Sequence, residues 1–120
     1  MAKALLFNIT GDKRKKLGFL CMQYGIVIQE GTAADQTRPL SRILGRGDQG
    51  APNTLDAPFS DEMLVLDGLS QEQFHGLLNG LQMLRSTVTC KAITTEHNLA
   101  WTPARLYREL AAEHAALNGR

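Results

Sequence analysis

Cysteine is scarce in this chain: Cys21 and Cys90 are the only two. Neither stands in a Cys-x-x-Cys pair, and no histidine sits at metal-ligand spacing from either. A disulfide framework and a zinc site are therefore not expected, and no cofactor or metal is assigned. Long apolar runs are also missing. None nears the ~18–20 residues a membrane-spanning helix needs. Ala4–Phe7 is too short for a secretory core, which points to a cytoplasmic protein. Neither sign of charge dominates, since 13 basic residues face 12 acidic ones for a formal charge of +1. That balance excludes a protein that holds nucleic acid by its overall field. Aromatic residues reach only 6%, and no aromatic pair accompanies the basic run, which argues against a stacking platform for single strands.

What remains is the composition of an ordinary folded protein. With 43% hydrophobic and 21% charged residues over 120 positions, the chain is expected to form one domain, 1–120. Cys21 falls on the apolar stripe of a predicted helix and Cys90 at the start of a predicted strand, so both are expected as small buried hydrophobes. Gly45-Arg46-Gly47-Asp48-Gln49-Gly50 fits G-x-G-x-x-G. The dinucleotide fingerprint needs a strand before it and a helix after it. Here a helical turn precedes it and Pro52, Asn53 and Pro58 follow, so Arg46–Ser60 reads as a flexible loop.

Hydrophobic patterning gives the elements. Ala4–Ile9 is a short apolar run and reads as a strand. Thr10 is placed to cap a helix whose apolar positions Leu17, Leu20, Cys21 and Tyr24 follow i, i+3, i+4, i+7, and Gly25 is placed to end it. Ile26–Gln29 is the second strand. Pro39 opens a short helix with Leu40, Ile43 and Leu44 on one face, and Gly45 stops it. Glu62–Leu66 is the third strand. Ser70 and Gln73 form a capping box ahead of a helix with Phe74, Leu77, Leu78, Leu81 and Leu84 along one stripe. Val88–Thr94 is the fourth strand. Thr102-Pro103 opens a last helix with Leu106, Tyr107, Leu110 and Leu117 on one side.

The halves resemble each other in order: strand, capped helix, strand, loop, Pro-initiated helix. Ile9-Thr10 aligns with Leu69-Ser70, Lys13 with Gln73, and Leu17 with Leu77. Such repetition predicts a duplicated βαβ unit, with repeats at 4–45 and 63–117. The expected fold is α+β, a ferredoxin-like antiparallel sheet with helices on one face plus two extra short helices. The alternative is an open parallel sheet with every helix a crossover. Met63, Val65, Val88 and Ile93 alternate with Thr87, Thr89 and Lys91. The polar set is expected to face solvent or a partner, so a second copy of the chain or another protein is one partner class.

Lys91-Ala92-Ile93-Thr94-Thr95-Glu96-His97-Asn98-Leu99-Ala100-Trp101-Thr102 carries a more specific likeness. It resembles a family of small bacterial and archaeal domains of unknown function, the one numbered 3783. That family carries Lys-Ala-Val-x-Thr-x-x-Asn-x-x-Trp-Thr followed by a Leu-rich helix. Lys91, Ala92, Thr95, Asn98, Trp101 and Thr102 fit at the same spacing, with Ile93 in place of Val. Leu64–Ser70 also resembles the family's strand-to-helix turn. Glu96, His97, Leu99 and Ala100 depart from the pattern, and Leu99 replaces a basic residue. The likeness covers roughly the second half of the chain and implies grouping and fold without an activity.

The loop between the last strand and last helix is dense in hydrogen-bonding groups, as binding loops on rigid scaffolds often are. Lys91, Thr95, Asn98, Trp101 and Thr102 are the candidate ligand-binding residues, and a small anionic ligand is one partner class. Each also has a structural role open to it: Asn98 as a turn former, Thr102 as a helix cap, Trp101 as a core plug, and Lys91 as a snorkelling edge residue. No catalytic residue is assigned. The expected function is a non-enzymatic binding or regulatory module. One alternative is an enzyme using Asp67, Lys91, His97 and Asn98. A second is weak nucleic-acid binding through Lys13-Arg14-Lys15-Lys16, in a half that carries eight basic against five acidic residues.

Overall fold

Two central strands, β1 (Lys3–Phe7) and β3 (Met63–Asp67), explain the apolar runs. Apart from Lys3 every residue in them is buried, and strands buried on both faces read as continuous rather than alternating apolar stretches. In this computed structural model residues 1–118 are described, and the regular elements run β1, α1 (Gly11–Gln23), β2 (Val27–Glu30), α2 (Leu40–Ile43), β3, α3 (Gln71–Met83), β4 (Cys90–Ile93) and α4 (Pro103–Asn118). The side chain of Leu117, expected on the apolar side of α4, lies outside the described residues. No helix among the described residues is long and apolar enough to cross a membrane.

The fold is α+β, with a four-stranded mixed sheet in the order β2-β1-β3-β4. This differs from both expected topologies. β1 pairs in parallel with β2, β3 pairs in parallel with β4, and only the central β1–β3 pair is antiparallel. A ferredoxin-like sheet would insert a strand between the two strands of each βαβ unit. Here each unit keeps its own strands adjacent, the usual outcome when connections are short, and each 13-residue helix is long enough for the crossover a parallel pair requires.

The chain divides into two compact units. One comprises Met1–Glu30 and Asp61–Ile93, the other Gly31–Ser60 and Thr94–Arg120. Both draw on each half of the sequence, so the compact units are not the two sequence repeats.

The first unit holds the sheet. Its two βαβ halves run strand, helix, strand with 5, 13 and 4 residues each. Both helices cover one face. Ala4, Leu6, Leu64 and Leu66 form a core with Leu17, Leu20 and Cys21 of α1 and Leu77 and Leu81 of α3. Leu5, Phe7, Met63 and Val65, which strand alternation sends the other way, are at 1% exposure or less. Ile93 does not share that burial. It sits on the edge strand β4 and is 53% exposed.

The predicted caps divide. Ser70 and Gln73 form the capping box in full. Thr10 stands at the N-cap of α1 in the extended conformation but makes no side-chain cap bond, and the helix is entered through Gly11 at φ +66.

The second unit holds α2, α4 and two 3-10 turns, Ala34–Thr37 and Asn98–Ala100. The loop Arg46–Ser60 has no regular element, yet the chain around it is tied at several points. The Ser41 hydroxyl donates to the Gln49 carbonyl and accepts the Gln49 N–H at 2.9 and 3.0 Å. The Gln36 amide makes the same reciprocal pair with the Phe59 backbone, both at 3.0 Å. Phe59 stacks on Tyr107 with centroids 4.7 Å apart.

Candidate functional site

The five sequence-predicted residues are divided between the two compact units. Lys91 belongs to the first unit, while Thr95, Asn98, Trp101 and Thr102 belong to the second. Lys91 lies on edge strand β4, paired with Leu64. Its ammonium donates to the Val88 carbonyl at 3.1 Å, so its stem runs along the strand and its charge stays at the edge. With Leu66, Phe74, Ala92 and Ile93 it lines a shallow, mainly apolar groove of about 300 Å³.

Thr95 and Asn98 serve each other. The Asn98 side-chain oxygen accepts the Thr95 N–H at 2.7 Å, and the Thr95 hydroxyl accepts the Asn98 N–H at 3.1 Å. This reciprocal pair closes the 3-10 turn, and Asn98 is buried. Such closure is the side-chain-to-backbone bonding that Asn and Thr favour in turns.

Trp101 and Thr102 face a different environment. Together with Ala51, Asn53, Asp56, Ala100, Arg105, Arg108 and Glu109 they line an open, polar cleft of about 490 Å³ in the second unit. Trp101 is half-buried and does not plug the core. The Arg105 guanidinium lies over its ring, 4.3 Å from the centroid, within cation–π range. Thr102 caps α4 as expected, its hydroxyl oxygen accepting the Arg105 N–H at 3.2 Å.

At the base of the cleft is Asp56, whose side chain is 4% exposed. It accepts the Thr102 hydroxyl at 2.5 Å, the Asn53 amide at 3.2 Å and Arg108 at 3.4 Å. A buried carboxylate needs such partners to stay charged. Asp56 therefore ties the loop to the N-terminus of α4, and its charge is spent inside the protein.

Residues 62–117 match the family model Domain of unknown function (DUF3783). This is the family that the Lys91–Thr102 segment resembles. The DUF3783 match begins just before β3 and takes in α3, β4, Trp101, Thr102, Arg105 and Arg108. Asn53 and Asp56 lie outside it. No curated protein and no solved structure matches the chain.

Sequence reasoning missed Asn53, Asp56, Arg105 and Arg108. Arg105 and Arg108 carry a readable signal, since i and i+3 share a helix face. Asp56 carries none, because nothing in a Gly/Pro-rich stretch distinguishes a buried aspartate from a solvated one.

The alternative constellations fare differently. β3 and β4 run parallel, so Asp67 and the end of β4 lie at one sheet edge, where ligand sites of α/β sheets form. Lys91 is aligned with Leu64, three residues back from Asp67, or about 10 Å along the strand. His97 is exposed and falls in the other unit with Asn98.

The basic run is largely neutralised. Lys13 pairs with Glu62 at 2.7 Å, Arg14 with Glu30 at 3.0 Å and Lys16 with Asp12 at 2.9 Å.

Both cysteines are free. Burial pushes the Cys21 thiol up to about 11, with Arg14 pulling modestly the other way. Cys90 is half-buried, and its thiol is raised chiefly by burial, then by Asp61, against the pull of Lys91. Neither is the depressed thiol of a nucleophile. Among the described residues no group of three His, Cys, Asp or Glu side chains could hold a metal ion.

Proposed function

We propose that this protein is a non-enzymatic small-molecule binding or regulatory module whose site is the cleft at the start of α4. One observation carries the reading. Trp101 and Thr102, from the segment singled out in the sequence, meet Asn53, Arg105 and Arg108 around an open cleft of about 490 Å³. That size suits a small ligand, and the lining offers a flat ring and directed donors.

The same geometry favours binding over catalysis. The cleft's hydroxyl–carboxylate pair, Thr102 and Asp56, is buried and committed to capping α4. Among the described residues no His or Cys lines the cleft, so a nucleophile with an adjacent base has no counterpart there. The enzyme alternative has Lys91 committed to Val88 and Asn98 to Thr95. The nucleic-acid alternative loses most of its charge to Glu62, Glu30 and Asp12. A duplicated βαβ sheet is the proposed scaffold, supported by the matched element lengths. The free cysteines agree with a cytoplasmic setting.

The test is a thermal-shift screen against nucleotides, amino acids and common metabolites, repeated on Ala51→Phe, which fills the cleft from an exposed position. A compound that raises the melting temperature of the wild type and leaves the variant unmoved supports the reading. An equal response in both proteins removes the cleft as the site. A uniformly negative screen shifts the proposal to a protein partner or a second copy of the chain, at the exposed β4 edge around Ile93.

A further inference from the structure

Three observations narrow the class of ligand, on the footing that the cleft is a binding site. The first is the state of Arg105. Its guanidinium carbon lies over the Trp101 ring, 4.3 Å from the centroid. Among the described residues it has no carboxylate within ion-pair distance: Glu109, one turn further on at i+4, does not pair with it. A guanidinium seated on a ring keeps its face occupied and its N–H edge free, and that edge matches the two oxygens of a carboxylate or phosphate.

The second is Arg108, one turn along the same face of α4 and also on the cleft wall. It touches Asp56 through a single long contact of 3.4 Å, and its side chain is 60% exposed. Most of its donors remain open.

The third is the fate of the negative charges. Asp56 is turned inward and satisfied by Thr102, Asn53 and Arg108. Glu109 is exposed on the wall, one turn beyond Arg105 along α4. The exposed charged side chains of the lining are thus two arginines against one carboxylate, which favours an anion.

We infer that the cleft holds the oxyanion of a small molecule, a carboxylate or a phosphate, in the N–H edge of Arg105, with Trp101 as the platform and Arg108 as a second donor. The oxyanion is the recognised group.

Trp101 is the only tryptophan, so its emission reports directly on the site. The experiment titrates the full chain with sodium phosphate and, separately, sodium succinate, at ionic strength held constant with chloride. The same titrations are run on Arg105→Gln and Arg105→Lys. The expected result is a saturable change in Trp101 emission with at least one of the two anions. Arg105→Gln should weaken it at least tenfold, and Arg105→Lys should restore part of it. Response to phosphate alone assigns a phosphate ligand, and response to succinate alone a carboxylate. A response that is linear, or unchanged in Arg105→Gln, overturns the inference. The unliganded melting temperature of Arg105→Gln, expected within a few degrees of wild type, separates a lost ligand contact from a lost fold. A neutral compound from the screen that shifts Trp101 emission equally in both proteins would defeat the oxyanion claim and leave the cleft as a site. If phosphate, succinate and every compound of the screen leave wild-type Trp101 unmoved, both claims fall.

Discussion

Asp56 and Thr102, 46 positions apart in the chain, share a buried hydrogen bond of 2.5 Å. The Thr102 hydroxyl donates to the carboxylate while its oxygen accepts the Arg105 N–H. One side chain thus caps α4, fastens the Arg46–Ser60 loop and shapes the cleft. Thr102→Val keeps the shape and removes the hydroxyl. It should cost about 1 kcal/mol for the cap and a further ~1–3 kcal/mol for the partner lost from a buried carboxylate. Urea unfolding monitored by Trp101 emission should therefore show a drop of about 2–4 kcal/mol. A loss below about 0.5 kcal/mol would mean that the bond is not what holds the loop.

This relationship also shows where the sequence stops being legible. Thr102-Pro103 is readable as a helix start because cap and N1 signals are local. So is the Thr95–Asn98 turn, which needs only neighbours three residues apart. Asp56 finds its partners through the fold, and no pattern within Gly47–Pro58 announces it. Within the candidate segment the structure places Trp101 and Thr102 on the cleft wall, Thr95 and Asn98 in the turn before it, and Lys91 in the sheet.

The two βαβ halves end their helices in the same way. In α1 the N–H groups of Tyr24, Gly25 and Ile26 bond back to Leu20, Met22 and Cys21. In α3 those of Leu84, Arg85 and Ser86 bond to Gly80, Gln82 and Leu81, a constant 60 positions on. The left-handed residue is Gly25 at φ +69 in the first and Arg85 at φ +54 in the second. A side chain in that region costs roughly 1 kcal/mol that glycine avoids. Arg85→Gly should accordingly raise stability by about 0.5–1 kcal/mol, read as a higher urea midpoint. Gly25→Arg should lower it by a similar amount. Failure of the pair to move in opposite directions would show that the two helix ends are not equivalent in energy.

Local signals of this kind carried most of the fold. Helix stripes, the Ser70–Gln73 box and the glycine and proline stops are contacts within a few residues, and the elements they predict are found with shifted ends. Strand order is a different quantity. A βαβ unit in which a strand intervenes and one in which the two strands touch have the same periodicity and caps. The mixed order β2-β1-β3-β4 was therefore beyond the pattern, while the order of elements was within it.

The third glycine of the Gly45–Gly50 run has a structural task unrelated to phosphate. Gly50 stands at φ +79, and a Cβ there would overlap the Ala100 carbonyl oxygen, a backbone atom that cannot rotate away. Gly50→Ala meets both penalties, conformational and steric, and should destabilise by about 2–4 kcal/mol. Gly47, at φ +107 with open space around it, meets only the first, so Gly47→Ala should cost about 1 kcal/mol. Thermal melts of the two variants should rank them in that order. A reversed ranking would show that Gly50 does not press on the chain at Ala100.

The pH dependence of stability should carry a mark of Cys21. Its thiol is pushed from its ordinary 9.0 to about 11, first by burial, with Arg14 in opposition. The folded protein thus holds the neutral thiol more tightly than the unfolded chain does. Below pH 9 both states keep the proton and the stabilisation is complete. As pH rises from 9 towards 11 the unfolded chain releases the proton and the folded one does not, so unfolding becomes easier. At about 1.4 kcal/mol per pH unit this costs the fold on the order of 2–3 kcal/mol by pH 11. Cys21→Ala should be less stable than wild type at pH 7, since it trims a side chain only 1% exposed. It lacks the titration, however, so the gap between the two proteins should narrow steadily from pH 9 to 11. Parallel stability curves over that range would mean that the Cys21 thiol ionises alike in the folded and unfolded chain.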